Sequence, residues 1–369
     1  MSENNLTVGG KYITVGGKAL SYVSDYDPYN PLGLPSYTAR VQFADGVTPA
    51  YRSGHEVTLS QVSSSPNVWD VTYSDPDWSF MFQSVNGWLE NFSYITKFLG
   101  ANTTGVTNMS YMFGQQYYLT EVGLFDTSSV TSMDGMFSNC PLLSTVPTYN
   151  TSNVTDMTCM FLSCSALTAL PQYNTSKVTE MEGICYGCTS LASVPLIDTS
   201  KVKNERYNVG VSGMFRDCSS LTSVANLSLA SLTHVHNMFE GCTSLISAPS
   251  LTNTGNITDA RSMFEGCTAL QTLANYNFSS VKWIDNYCDG CINLTSIPAM
   301  SLPAVTETYR TFYECYKVAS GALTLYQQLS TKSTAVTLYS DCFKYCGRDT
   351  TTGAAELAQI PSSWGGTGA

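Results

Sequence analysis

The side chains best suited to chemistry in this sequence are cysteines set in close pairs. Cys185 and Cys188, and Cys288 and Cys291, have Cys-x-x-Cys spacing, and Cys342 is followed by Cys346. Such pairs suit zinc ligation or a thiol–disulfide couple. The histidines are His55, His234 and His236; the pair His234-x-His236 falls between Leu232 and Met238, where a surface or partly packed role is the simpler reading. Asp75 and Asp77, flanked by Trp69, Tyr73 and Trp78, have the make-up of a sugar-binding edge, because aromatic faces suit sugar rings. The competing reading is an aromatic core edge with a turn at Asp75-Pro76. No Ser/His/Asp spacing, Gly-rich phosphate loop or pair of carboxylates stands out.

What positions the cysteines is a repeat. Met-Phe-x-x-Cys-x-x-Leu recurs from Met136, Met160, Met238 and Met263, and degenerate copies begin at Met112, Ile184, Met214, Tyr287, Thr311 and Cys342. The ten anchors are spaced 24, 24, 24, 30, 24, 25, 24, 24 and 31 residues apart, with insertions around Asn204 to Val211 and after Val318. In all three pairs the second cysteine falls at the repeat's own cysteine place; its partner replaces the Phe in the first two and the Met in the third. The first two pairs are four turns apart, on the order of 20 Å at the spacing of stacked strands. They cannot share one zinc, and they read as small buried hydrophobes.

Other positions keep phase as well. Val146, Leu170, Val194, Val224, Leu273 and Ile297 lie three residues after the leucine place, and Val130, Val154, Val178 and Val281 precede the next anchor. Ser144-Thr145-Val146 reads as a strand, whereas the apolar spacing from Val154 to Cys164 predicts a short helix or 3₁₀ segment. One turn cannot bury its apolar face alone. Stacked turns share a continuous core, gaining about 1.5–3 kcal/mol for each large apolar side chain buried. The expected fold is therefore an α/β repeat, a solenoid with a short strand and a short helix in each 24-residue turn.

The Met-Phe-x-x-Cys-x-x-Leu-x-x-Val-Pro pattern, with Thr-Ser and Val-Thr-x-Met steps, resembles the BspA-like leucine-rich repeat over roughly residues 88–346. That family occurs in bacterial surface proteins and in proteins of bacteriophages that infect gut bacteria. The resemblance implies a leucine-rich-repeat solenoid and an adhesion or attachment role. It implies no catalytic residue and no cofactor.

The expected organisation is an N-terminal anchoring arm over 1–35, a small β module over 36–87, the solenoid over 88–346, and a C-terminal cap and tail over 347–369. Trp88, Leu89, Phe92, Ile95 and Phe98 continue the anchor phase and read as a degenerate first turn. In the module, Ala39, Val41 and Phe43 alternate with polar residues, as do Trp69, Val71 and Tyr73. The arm carries Thr-Val-Gly-Gly-Lys twice, at Thr7 to Lys11 and Thr14 to Lys18, and its glycines suggest tight turns. It is too short to hold a core. It could dock on the module, pair with another subunit or stay flexible; attachment to a carrier by strand addition would use Tyr12, Ile13, Val15, Leu20, Tyr22 and Val23 as pocket fillers.

Composition narrows the partners. The formal charge of −11, with no basic cluster, argues against nucleic acid and anionic membranes. Residues 1–30 hold no apolar run long enough for a secretory signal or a membrane span, so no membrane insertion is expected and the cysteines are expected to stay reduced. The outward places after each leucine are small and polar, and a more variable place follows as Thr148, Gln172, Asn226, Ser250 and Asn275. These five form the candidate ligand face; the bland alternative is solubility. Phe125, Tyr149, Tyr173, Ile197, Leu227, Leu251, Tyr276 and Met300 share the next place and read as core. The sequence thus points to a non-enzymatic bacteriophage virion protein, fibre or decoration, assembled in the host cytoplasm. Its arm would contact other virion proteins, its repeat a host protein or glycan, and a homo-oligomer is expected. A bacterial cell-surface adhesin is the alternative, and an enzyme built on the β module lacks a constellation.

Overall fold

The computed structural model describes residues 29–51, 57–73, 75–79, 81–82, 89–90, 94–203 and 211–368, and residues 14–15 and 18–19 of the arm. In the arm, β1 (Thr14–Val15) pairs antiparallel with β2 (Lys18–Ala19). Of the proposed anchoring residues Val15 lies in β1, while Tyr12, Ile13, Leu20, Tyr22 and Val23 lie outside the described residues.

Four strands build the module sheet: β3 (Thr38–Phe43), β5 (Thr58–Ser64), β6 (Asn67–Thr72) and β8 (Ile95–Asn102). Two shorter strands, β4 (Ala50–Tyr51) and β7 (Leu89–Glu90), pair with each other. The order β5-β6-β3-β8 is antiparallel, with Val41 opposite both Trp69 and Phe98. The period-2 pattern holds: Ala39, Val41 and Phe43 are buried. The far edge of β8 then pairs in parallel with β9 (Glu121–Val122), Phe98 facing Val122. One strand therefore joins the antiparallel module to the parallel repeat stack, across the boundary expected at residue 87.

From there, successive turns bridge in parallel. Asn108, Ser132, Asp156 and Glu180 form one ladder, and His234, Asp259, Trp283, Glu307 and Leu338 continue it beyond the first insertion. A second ladder runs through Ala169, Ser193 and Ser223, and through Ser247 and Thr272. Inside, Met136, Phe137, Cys140 and Leu143 have no exposed surface, and the equivalent residues of neighbouring turns stack on them. The rings of Phe113, Phe137 and Phe161 lie nearly parallel at 5.3 and 5.7 Å. The expected core place from Phe125 to Met300 is buried throughout.

Among the described residues of the repeat turns the expected short helix is absent; the fold there is strands and turns rather than α/β. The reason lies in where the N–H groups go. Those of Gly135, Phe137 and Asn139 donate to Thr158, Met160 and Leu162 of the following turn, and those of Met136 and Ser138 donate three residues back. A helix would send every one of them four residues back. Two residues per turn also adopt positive φ, such as Gly135 and Asn139 (both 59°) and Cys159 and Ser163 (51° and 57°), which no right-handed helix accommodates. Among the described residues the α-helices are α1 (Ala322–Thr331), which fills the insertion after Val318, and α2 (Thr351–Leu357).

Both ends are covered. At the start, Trp78, Met81 and Phe82 are fully buried, Phe82 stacks on Phe113 at 5.7 Å, and its N–H donates to Met112. Met81-Phe82 is therefore the Met-Phe step of the first turn; the sequence assigned that step to Trp88-Leu89 and residues 77–82 to the module. At the end, the N–H of Phe343, which would otherwise seek a following turn, donates to the carbonyl of Trp364 at 2.9 Å. The Glu356 carboxylate of α2 accepts from Gly321 and Leu323, capping the start of α1. No helix among the described residues is long and apolar enough to cross a membrane.

Candidate binding surface

The cysteine pairs come first because they could have been reactive. All six are buried and free. At the repeat's cysteine place the thiols from Cys140 to Cys315 point at carbonyls of the preceding turn: Cys140 to Phe113 at 3.1 Å, Cys164 to Phe137 at 3.0 Å, and Cys188, Cys291 and Cys315 likewise to Phe161, Phe264 and Cys288. Burial pushes the Cys140 thiol up to about 12 and Cys164 well above its usual range, so thiolate is suppressed. Gln116 takes the cysteine place in the turn from Met112, and its amide donates to the Phe82 carbonyl. Where Cys288 replaces the ladder Phe, the neighbouring Tyr287 turns its ring inward against Phe264 at 5.5 Å. The pairs are packing features of the core, and the loss of Phe at Cys288 is compensated by Tyr287. Among the described residues no group of three His, Cys, Asp or Glu side chains is placed to hold a metal ion.

The remaining candidates have structural partners. Asp75 accepts from the N–H of Asp77, and Asp77 from that of Ser79, while Trp78 is fully buried and offers no face to a sugar. His55 lies outside the described residues. The hydroxyl of Thr233 meets His234 Nδ1 at 2.9 Å.

One grouping escaped the sequence reading. Ser212, His236 and Asp259 converge, with Ser212 Oγ 3.2 Å and Asp259 Oδ2 3.7 Å from His236, both at Nδ1. A hydrolytic relay needs the two partners on opposite ring nitrogens. Arg261 also neutralises Asp259, at 2.6 Å, and burial lowers the pKa of His236, favouring neutral imidazole. The period could have revealed the grouping, because Ser212 and His236 both stand two residues before an anchor.

The five residues of the proposed ligand face lie on the surface. Thr148, Gln172, Asn226, Ser250 and Asn275 are all exposed, each preceding a buried member of the core row. The Leu227 N–H donates to the Ser250 carbonyl, and β12 (Leu227–Ser228, after β10 and β11 at Ser193–Val194 and Ser223–Val224) pairs in parallel with β13 (Leu251–Thr252). Equivalent side chains of successive turns therefore line up. Gln172 reaches the carbonyl of Leu196 at 2.7 Å, and Leu196, 61% exposed, interrupts the polar row.

Many flanking hydroxyls are committed to holding turns together. Thr131, Thr155 and Thr179 donate in series to Thr107, Thr131 and Thr155 carbonyls, and Thr189, Ser219, Thr243 and Thr268 form a second series. These exposed hydroxyls keep lone pairs free toward solvent. The Ser and Thr content thus has a structural cause beyond solubility.

A second surface feature lies at the C-terminal end. Asp341, Lys344, Tyr345 and Arg348 of the last turn face Leu357, Ser362, Gly365, Gly366 and Thr367 across a cleft of 380 Å³. Arg348 lies 3.9 Å above the ring of Tyr316 and 5.2 Å from that of Tyr345.

None of the curated proteins compared with the chain matches it. Among solved structures, a leucine-rich repeat protein from Eubacterium ventriosum is similar, at 14% identity and a TM-score of 0.27, over 69% of this chain and 81% of that one. The family described as "Mycoplasma protein of unknown function, DUF285" matches residues 76–198 and 209–324, from the first turn into α1. With most of its repeat body inside that match, the chain belongs to the DUF285 family.

Proposed function

We propose that this chain is a non-enzymatic leucine-rich-repeat solenoid that presents its sheet face for attachment to a protein or glycan. The observation that carries the reading is the row Thr148, Gln172, Asn226, Ser250 and Asn275, exposed and aligned between turns, while the cysteine pairs are buried. Repetition of one polar contact along the stack suits modest affinity multiplied over several places, and over several copies in a homo-oligomer.

The proposed carrier is a bacteriophage virion, with residues 1–35 as the anchoring arm that binds other virion proteins. A bacterial cell surface is the alternative carrier. The carrier assignment rests on the family resemblance, and the attachment reading on the surface geometry.

The test uses the full chain on immobilised host-cell surface extracts. Gln172→Lys combined with Asn226→Lys and Asn275→Lys is expected to abolish capture without changing the unfolding midpoint. Unchanged capture would remove the sheet face from the interaction. Gold-labelled antibody on particles and on cells decides the carrier.

A further inference from the structure

The C-terminal cleft differs from the sheet face in having an aromatic wall with donors and an acceptor around it. We propose that it is a binding site for a single pyranose ring, as a free sugar or the end of a glycan.

The residue that sets the cleft apart is Tyr345. It stands two places after the Phe of its turn, a place of positive φ (+63° here) that inner turns fill with Gly187, Gly241, Gly266 and Gly290 or with the smaller or flexible Gln115, Asn139, Ser163, Asp217 and Glu314, and here it carries an aromatic ring. A bulky side chain at that φ is disfavoured. Here Tyr345 is 40% exposed and lines the cleft.

A pyranose has an apolar C–H face and vicinal hydroxyls that each donate and accept. Tyr345 supplies an aromatic ring, with Arg348 5.2 Å and Lys344 Nζ 5.8 Å from its centroid; Lys344 and Arg348 supply donors, Asp341 an acceptor, and Thr367 a hydroxyl, all on the lining of one cleft. Its 380 Å³ is within the range of small-molecule sites. The opposite wall is held close, because a Cβ at Gly365 would lie 2.6 Å from the main-chain nitrogen of Lys344.

Charge selects against a simple anion. Lys344 is 3.3 Å from Asp341, and Arg348 is 3.4 Å from Asp349, so the cations already have carboxylate partners. A neutral polyol can bridge such pairs without displacing them.

This inference rests on the attachment reading only for the glycan as ligand class; the site itself is separate from the sheet face. The test is saturation-transfer NMR and calorimetric titration of the full chain with the methyl glycosides of glucose, galactose, mannose and N-acetylglucosamine. At least one is expected to bind saturably in the millimolar range. Tyr345→Gly, which relieves the backbone strain and so keeps the fold, is expected to weaken that binding at least tenfold, and Tyr345→Phe by less than about threefold. The Gln172/Asn226/Asn275 triple variant is expected to bind the glycoside as the parent does. No binding of any glycoside, unchanged binding by Tyr345→Gly, or loss only in the triple variant would overturn the cleft site; the first two leave protein attachment by the sheet face standing.

Discussion

The thiol of Cys164 donates to the main-chain carbonyl of Phe137, 3.0 Å away in the preceding turn. The same relationship joins Cys242 to Phe215 and Cys267 to Phe239, so neighbouring thiols address carbonyls rather than one another. Alkylation followed by non-reducing mass spectrometry is therefore expected to find no Cys140–Cys164 or Cys242–Cys267 disulfide. In the native state these thiols should resist iodoacetamide, and denaturant should expose them. Cys164→Ala leaves the Phe137 carbonyl short of a donor and should cost about 1–3 kcal/mol.

Leu245 and Ile246 are adjacent but belong to different surfaces. Leu245 is fully buried, while Ile246 is 51% exposed. Leu245→Ala should lower stability by about 2–5 kcal/mol as a core truncation. Ile246→Ala should stay within about 0.5 kcal/mol. Urea denaturation of both variants reads the register directly, and equal losses would contradict it.

Gly321, at the start of α1, has φ +101°, and a Cβ there would lie 2.2 Å from the Ile297 carbonyl oxygen. Gly321→Ala should therefore destabilise by at least about 1–3 kcal/mol, where a relaxed Gly→Ala change would stabilise slightly. Hydrogen exchange should show the loss concentrated in α1 and α2, because Glu356 ties the two together.

Asp289 carries the clearest pH signal. Burial pushes its carboxyl up to about 6, against the pull of Arg310 and with Glu265 and Glu314 adding to the rise. The folded state holds this proton more tightly than the unfolded one. The contribution to stability is complete below about pH 4 and disappears as pH rises through 6. Its ceiling is about 3 kcal/mol for a shift of roughly two units. The difference in stability between the parent and Asp289→Asn, followed from pH 4 to pH 7.5 by urea denaturation, should move against the parent as pH rises.

The repeat was readable because burial in a stack is nearly one-dimensional. Met136, Phe137, Cys140 and Leu143 each face the interior once per turn, and their types recur every 24 or 25 residues except across the two insertions. The exposed row from Thr148 to Asn275 was legible for the same reason. The helix expected from Val154 to Cys164 was not, because apolar spacing does not say where an N–H will find its acceptor. The carbonyls that take the Cys159 and Phe161 N–H groups belong to Glu182 and Ile184, a full turn further on. Met81-Phe82 was likewise hidden, since the segment after it departs from the repeat length and only stacking on Met112 and Phe113 identifies it. The cleft at Tyr345 depends on Gly365 folding back against Lys344. The sequence therefore determined which side chains are buried and with what period, while contacts between turns and at the two ends decided the backbone conformation, the first turn and the C-terminal cleft, because those hydrogen bonds and packing surfaces exist only once the turns are stacked.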